Sequence, residues 1–206
     1  MVRKWVRWSV MFGGVVLLGC SSTTTEPPPP DIRDPAALNI LQLAQNAPPL
    51  WNSQASFYAI RGEDREARLF FQDAVGGQGE EYLRLKIPDA ALLTRPDGTP
   101  FAVGDSILIT VTVVNVQQIL FDLQPSGLRF DPAKPAELDI EYQEAGDDYD
   151  QDGDVDVEDD QIETELAIWR QEVVGGVFER LGSVKFEDLK EIDVELIGFT
   201  RYAIAY

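Results

Sequence analysis

The sequence predicts an all-β fold, an antiparallel β-sandwich, on three observations. Apolar residues recur with period two: Leu83, Leu85 and Ile87 alternate with Arg84 and Lys86, and Ile107, Ile109, Val111 and Val113 alternate with Leu108, Thr110 and Thr112. Leu138, Ile140 and Tyr142 do the same against Asp139 and Glu141. Such alternation describes strands with one face in a core and one in water. Turn signals at Asp97-Gly98, Ser126-Gly127, Asp131-Pro132 and Gly175-Gly176 punctuate these runs at the short spacing of a sandwich. Residues 51–206 carry regular apolar content throughout, enough for one domain with one core.

The first segment reads as a targeting leader. Arg3, Lys4 and Arg7 form a basic start, and Ser9–Gly19 is a short apolar run ending at Leu17-Leu18-Gly19-Cys20. Eleven residues of helix reach only about 16 Å, about half the hydrocarbon thickness, so residues 1–19 are expected to be a cleaved signal peptide rather than a span. Its end looks like a bacterial lipobox, which makes Cys20, the single cysteine, the expected lipidated first residue of the mature chain. Residues 20–34 follow as a tether: Ser21 to Glu26 have little to bury, and the proline run Pro27–Pro30 favours extended polyproline II. Ser21, rather than Asp, after the lipidated cysteine resembles outer-membrane sorting. Residues 35–50 are expected to hold a short helix and a linker, with Asp34 as cap, Pro35 at the first helical position, Leu38, Leu41 and Leu43 among its apolar residues, and an end near Asn46. Further strands are expected over 56–61, 67–72, 119–123, 165–171, 177–186, 192–197 and 201–206. Gly76-Gly77-Gln78-Gly79 leads into a strand, so it reads as a turn and not as a phosphate-binding loop.

Between the strand ending near Glu141 and the one starting near Glu165 lies the run Asp148-Tyr149-Asp150-Gln151-Asp152-Gly153-Asp154-Val155-Asp156-Val157-Glu158-Asp159. A calcium ion takes six to eight oxygens, and a twelve-residue loop supplies them from positions 1, 3, 5, 7, 9 and 12. Those positions are Asp148, Asp150, Asp152, Asp154, Asp156 and Asp159. Gly153 falls at position 6, where the backbone turns sharply, and Val155 at position 8, where an aliphatic residue is expected to point into the core. A register two residues later would put the β-branched Val155 at the turn, where positive φ strains it. The run resembles the calcium loop of EF-hand and dockerin-type repeats. Without a counter-ion, its carboxylates would repel one another and the run would be a solvated acidic loop. Asp rather than Glu at position 12 and the lack of a second copy favour a structural site, with calcium as the expected cofactor.

Charge and composition narrow the function. The chain has 17 basic and 36 acidic residues; without Arg3, Lys4 and Arg7 the balance is 14 against 36, or −22. That repels nucleic acid and anionic headgroups, and suits cation binding or a basic partner. Histidine is absent, which removes the usual neutral-pH base and every His-dependent triad, so no catalytic set is expected. A carboxylate pair acting on a glycoside needs only two acids about 5 to 9.5 Å apart, a distance that 36 acidic residues meet by chance. Trp51, Trp169, Phe199, Tyr202 and Tyr206 invite a sugar-stacking platform, against the plainer reading of core or edge residues.

The stretch Tyr82 to Leu92, then Gly104 to Thr110, Gly127-Leu128-Arg129-Phe130-Asp131-Pro132, Leu138 to Tyr142 and Phe199-Thr200-Arg201-Tyr202-Ala203 resemble the ZU-type, immunoglobulin-like β-sandwich of ankyrins and netrin receptors. The resemblance covers residues 81–206 and implies a module that mediates contacts. Some relatives cleave themselves at a His-Phe-Ser; here Gly198-Phe199-Thr200 keeps a hydroxyl and lacks the histidine. The acidic run departs from that pattern as an insertion. The sequence thus leads to a lipid-anchored, calcium-stabilised sandwich of the bacterial cell envelope, a protein-interaction or structural module, with glycan binding and self-processing at Phe199-Thr200 as alternatives.

Overall fold

The computed structural model describes residues 30–206, so the leader, Cys20 and the tether up to residue 29 lie outside the described residues. Two antiparallel sheets face each other. The larger contains β1 (Ile32–Arg33), β2 (Gln54–Ile60), β6 (Ser106–Val113), β7 (Leu120–Gln124), β10 (Ala167–Gln171), β11 (Phe178–Arg180) and β14 (Arg201–Ala205), in the order β1-β11-β10-β14-β7-β6-β2. The smaller contains β3 (Arg65–Gln72), β4 (Gln78–Ile87), β9 (Ala136–Glu141), β12 (Ser183–Phe186) and β13 (Glu191–Leu196), in the order β12-β13-β9-β4-β3. A short ribbon of β5 (Leu92–Thr94) and β8 (Arg129–Phe130) closes one side. The predicted all-β sandwich is the fold. Among the described residues no helix is long and apolar enough to cross a membrane.

The alternation works as expected. Leu83, Leu85, Ile87, Leu138 and Ile140 point inward from the smaller sheet and meet Ile109, Val111, Phe121 and Ile204 of the larger one. Phe71, Tyr82 and Phe121 stack through this core, with ring centroids 4.6 and 5.1 Å apart. At the β3–β4 turn the sheet leaves no room for a side chain at Gly79, where a Cβ would come within 2.8 Å of the Asp73 nitrogen.

Three local expectations change. The segment expected to be a helix from Pro35 to near Asn46 is one 3₁₀ turn, Pro35–Ala37, followed by extended chain. Asp34 makes no side-chain cap. The extended form wins because β14 and the β6–β7 loop offer partners: Leu41 N donates to Ile204 O, Leu43 N to Gln117 O, and Asn39 and Tyr206 exchange backbone bonds. Leu41 and Leu43 enter the main core, so residues 38–43 belong to the sandwich rather than to a linker. Leu38 covers Trp169 on the outer face of the larger sheet, and Trp169 Nε1 donates to Ala205 O at 3.0 Å. The single strand expected over 177–186 is two strands, β11 and β12, one in each sheet, with Leu181-Gly182 as the crossing point. An unexpected helix, α1 (Val157–Glu165), precedes β10.

Candidate metal centre

The acidic run occupies the crossover from β9 in the smaller sheet to β10 in the larger. A 3₁₀ turn at Gln143–Ala145 leads into it and α1 leads out. Asp148, Asp150 and Asp152 come together, with one carboxylate oxygen from each within 4.8 Å of the others. Backbone bonds curl the chain around them: Asp150 Oδ1 accepts from Asp152 N, Asp152 Oδ1 from Asp154 N, both at 3.1 Å, and Asp148 Oδ2 from Gly153 N at 3.2 Å. Gly153 has φ +104°, the left-handed turn that the loop register requires at position 6.

Asp148 Oδ1 is buried without a hydrogen-bond partner. A buried carboxylate oxygen left alone is costly, and a hard cation is the partner that would satisfy it here. Asp154 is exposed, and its carboxyl is held above its ordinary value by its neighbours Asp152 and Asp156. At position 7 such loops use the backbone carbonyl, so its side chain has no need to turn inward.

Asp156 and Asp159 are engaged at the helix start. Asp156 is the N-cap of α1, accepting from Glu158 N at 2.7 Å, and Asp159 Oδ2 accepts from Asp156 N at 3.0 Å, which completes a reciprocal capping box. Asp159 Oδ1 accepts from Tyr149 N at 2.6 Å, which ties position 2 of the loop to position 12. These backbone donors, the Asp156 amide first, hold the buried Asp159 carboxyl below its ordinary value despite the cost of burial. Of the six expected ligands, the structure therefore gathers three as a cluster and places two in the cap. The cap was legible as Asp-x-x-Asp with Glu158, Asp159 and Asp160 in the first turn; reading both residues only as ligands hid it. Val155 departs from expectation: it is 64 % exposed, not in the core. With a single loop there is no second loop for it to pack on. Tyr149, at position 2, takes the inward place instead and is 5 % exposed.

A second carboxylate group, Asp139, Glu191 and Asp193, lies on the outer face of β9 and β13. Here a cation is already supplied by the protein: Arg84 Nη2 sits 2.5 Å from Asp139 Oδ2 and 3.9 Å from Glu191. The register opposes Glu137 to Glu195, Asp139 to Asp193 and Glu141 to Glu191 across the two strands. Burial, followed by the charges of Asp139 and Glu191, pushes Asp193 up to about 6. Burial and then Glu81, Glu191 and Glu80 push Glu141 up to about 7. The described residues thus offer two acidic groups that could hold a metal ion. Each group has one buried carboxylate oxygen without a partner, Asp148 Oδ1 in the loop and Asp193 Oδ1 on the sheet; what separates them is that the loop has no guanidinium among its carboxylates, so its donor set fits a hard cation better.

The remaining expectations fall as follows. Trp169, Phe199 and Tyr202 are buried, and Tyr206 packs partly against the core, so they form no exposed platform; Trp51 is exposed and meets Phe70 edge-on at 6.3 Å. Thr200 is buried, and its hydroxyl donates to the carbonyls of Gln171 and Glu172, fastening the start of β14 beside β10. Comparison with protein-family models, with characterised proteins and with solved structures finds no match to this chain.

Proposed function

We propose that this chain is a membrane-tethered, calcium-stabilised β-sandwich lipoprotein of the bacterial envelope that serves as a protein-interaction or structural module. The observation that carries the calcium part is the loop: three clustered carboxylates, a buried oxygen without a partner and a left-handed glycine at the turn, all in a twelve-residue register. The residues that would hold the ion are Asp148, Asp150 and Asp152, with the Asp154 carbonyl, and with Asp156 and Asp159 closing the loop from the helix start. A bound ion neutralises charges that otherwise repel across the crossover between the two sheets. Ten-fold excess over Kd adds about 1.4 kcal/mol to folding stability.

The tether and anchor rest on the sequence alone, through Leu17-Leu18-Gly19-Cys20 and the proline run. The module reading rests on the acidic surface and on the resemblance to ZU-type sandwiches. The burial of three of the five aromatic residues disfavours the glycan-binding alternative. The Thr200 hydroxyl, held by two carbonyls in a chain without histidine, disfavours self-processing.

Calcium titration into the metal-free domain by calorimetry, paired with melting curves, tests the reading. Saturable heat and a rise in Tm, both lost in Asp148→Ala/Asp152→Ala, are expected. Equal melting in calcium and in EDTA would reduce the run to a solvated acidic loop. For the anchor, a Cys20→Ser precursor is expected to leave the membrane fraction.

A further inference from the structure

Beneath the acidic loop lies a polar hub that touches none of the clustered carboxylates. Glu163, on the last turns of α1, accepts from the hydroxyl of Tyr149 at 3.0 Å and from that of Tyr142 at 3.2 Å. Lys190 reaches in from the turn between β12 and β13. Its Nζ donates to Tyr149 Oη at 2.7 Å and Asp147 Oδ1 at 2.5 Å, and stands 3.7 Å from Glu163. Lys185 of the same hairpin donates to the Glu163 carbonyl. The hub therefore ties three pieces together: the limb entering the loop at residues 147–149, the helix leaving it, and the β12–β13 hairpin. Tyr149 is its centre, because its backbone N–H also holds Asp159 while its ring fills the inward site that Val155 leaves.

Resting on the calcium reading above, we propose that Tyr149, Glu163 and Lys190 are positioning residues for the cation site: they fix the spacing of its entering and exiting limbs before the ion arrives. Outer groups hydrogen-bonded to metal ligands typically change affinity 10–100-fold when removed; the hub acts one step further back, through the limb at residues 147–149 and through α1, so the low end of that range applies. The hub also makes the hairpin a reporter of occupancy, since ordering the loop orders the partners of Lys190.

Charge and positioning make opposite predictions. Removing the Lys190 ammonium leaves Asp147 and Glu163 unneutralised beside the loop, and a more negative surrounding attracts a divalent cation more strongly. A purely electrostatic role thus predicts tighter calcium binding in Lys190→Gln, whereas positioning predicts weaker binding. Tyr149→Phe separates the two further, because it deletes the hub's central hydroxyl while changing no charge and keeping the buried ring.

The experiment is calcium calorimetry on the residue 30–206 domain as wild type, Tyr149→Phe, Lys190→Gln and Lys190→Arg, with melting curves of each in EDTA and in calcium. Kd is expected to weaken about ten-fold in Tyr149→Phe and in Lys190→Gln, to recover in Lys190→Arg, and the calcium-induced rise in Tm is expected to shrink in step. Unchanged Kd with Tm lowered equally in EDTA and calcium would make the hub merely structural and overturn the inference while leaving the calcium reading intact. Tighter binding in Lys190→Gln would overturn it in favour of plain charge. A wild type that binds no calcium would overturn the reading and the inference together.

Discussion

Replacing Glu141 by Gln should raise stability at pH 8 and leave it unchanged near pH 4.5. Glu141 stands at the end of β9 directly opposite Glu191 of β13, with Glu80 and Glu81 of β4 also close. Burial and those charges raise its carboxyl from 4.5 to about 7. The folded state therefore binds a proton that the unfolded state has already released between those two values, and stability falls as pH rises through that window. At full weight such a displacement is worth about 3 kcal/mol, but water reaches this partly exposed group, and screening reduces the figure to about 1 kcal/mol. For a domain of this size that is a Tm difference of about 2–4 °C. Melting curves by circular dichroism from pH 4.5 to 8, at constant ionic strength and in EDTA, should show the wild type losing Tm toward pH 8 relative to Glu141→Gln. The two curves should converge at the acid end. Parallel curves across the whole range, or a wild type that gains on the variant toward pH 8, would refute a Glu141 carboxyl raised by burial beside like charges.

Asp193→Asn should behave in the same direction over a lower window, between 3.8 and about 6, because burial first, and then the charges of Asp139 and Glu191, raise that carboxyl. Arg84→Met removes the guanidinium that faces Asp139, Glu81 and Glu191, so its loss of Tm should be deeper at pH 8 than at pH 5. Leu41→Ala, at a fully buried position in the main core, should cost about 2–5 kcal/mol in urea unfolding; a loss under 0.5 kcal/mol would mean that residues 38–43 do not dock. Thr200→Val should lower stability by about 1–3 kcal/mol by removing the one hydroxyl donor that the Gln171 and Glu172 carbonyls share, and the intact mass of the wild type is expected to show no break at Phe199-Thr200.

The strands of strict alternation were legible because each side chain reports its own face: Leu83, Leu85 and Ile87 could only point one way once Arg84 and Lys86 needed water. The stretch from Leu38 to Leu43 was not, because Leu38 and Leu41 are spaced for a helix while Leu41 and Leu43 are spaced for a strand. What decided was a partner far along the chain, the C-terminal strand and the residue after it, where Leu41 N bonds Ile204 O and Asn39 N bonds Tyr206 O. The run from Val177 to Phe186 breaks its alternation at Arg180-Leu181-Gly182, where a polar residue takes the apolar position, and that short break is the local mark of the crossing between the two sheets. In the loop, the turn glycine and the early aspartates followed from spacing alone. The inward residue did not, since whether Val155 or Tyr149 is buried depends on Lys190 and Glu163, which come from elements the loop's own sequence does not name.

The position of the acidic run explains why its charge can be tolerated and why a cation there has leverage. Sheet partners and core side chains fix β9 and β10 on either side of it, so the loop is not free to relieve repulsion by unravelling into water. Part of that repulsion is answered within the protein: Lys190 takes Asp147, the capping box takes Asp156 and Asp159, and the start of α1 favours acidic residues in its first turn. What is left over is the group of Asp148, Asp150 and Asp152, with one oxygen buried and unpartnered. The chain root also runs past this point, with Ala44 N bonded to Glu144 O and the Gln151 amide reaching Leu43 O. A cation that settles those three carboxylates therefore acts where the crossover between the sheets meets the segment leading back toward the N-terminus, so its effect on melting should exceed that of neutralising any exposed aspartate elsewhere on the surface, such as Asp97.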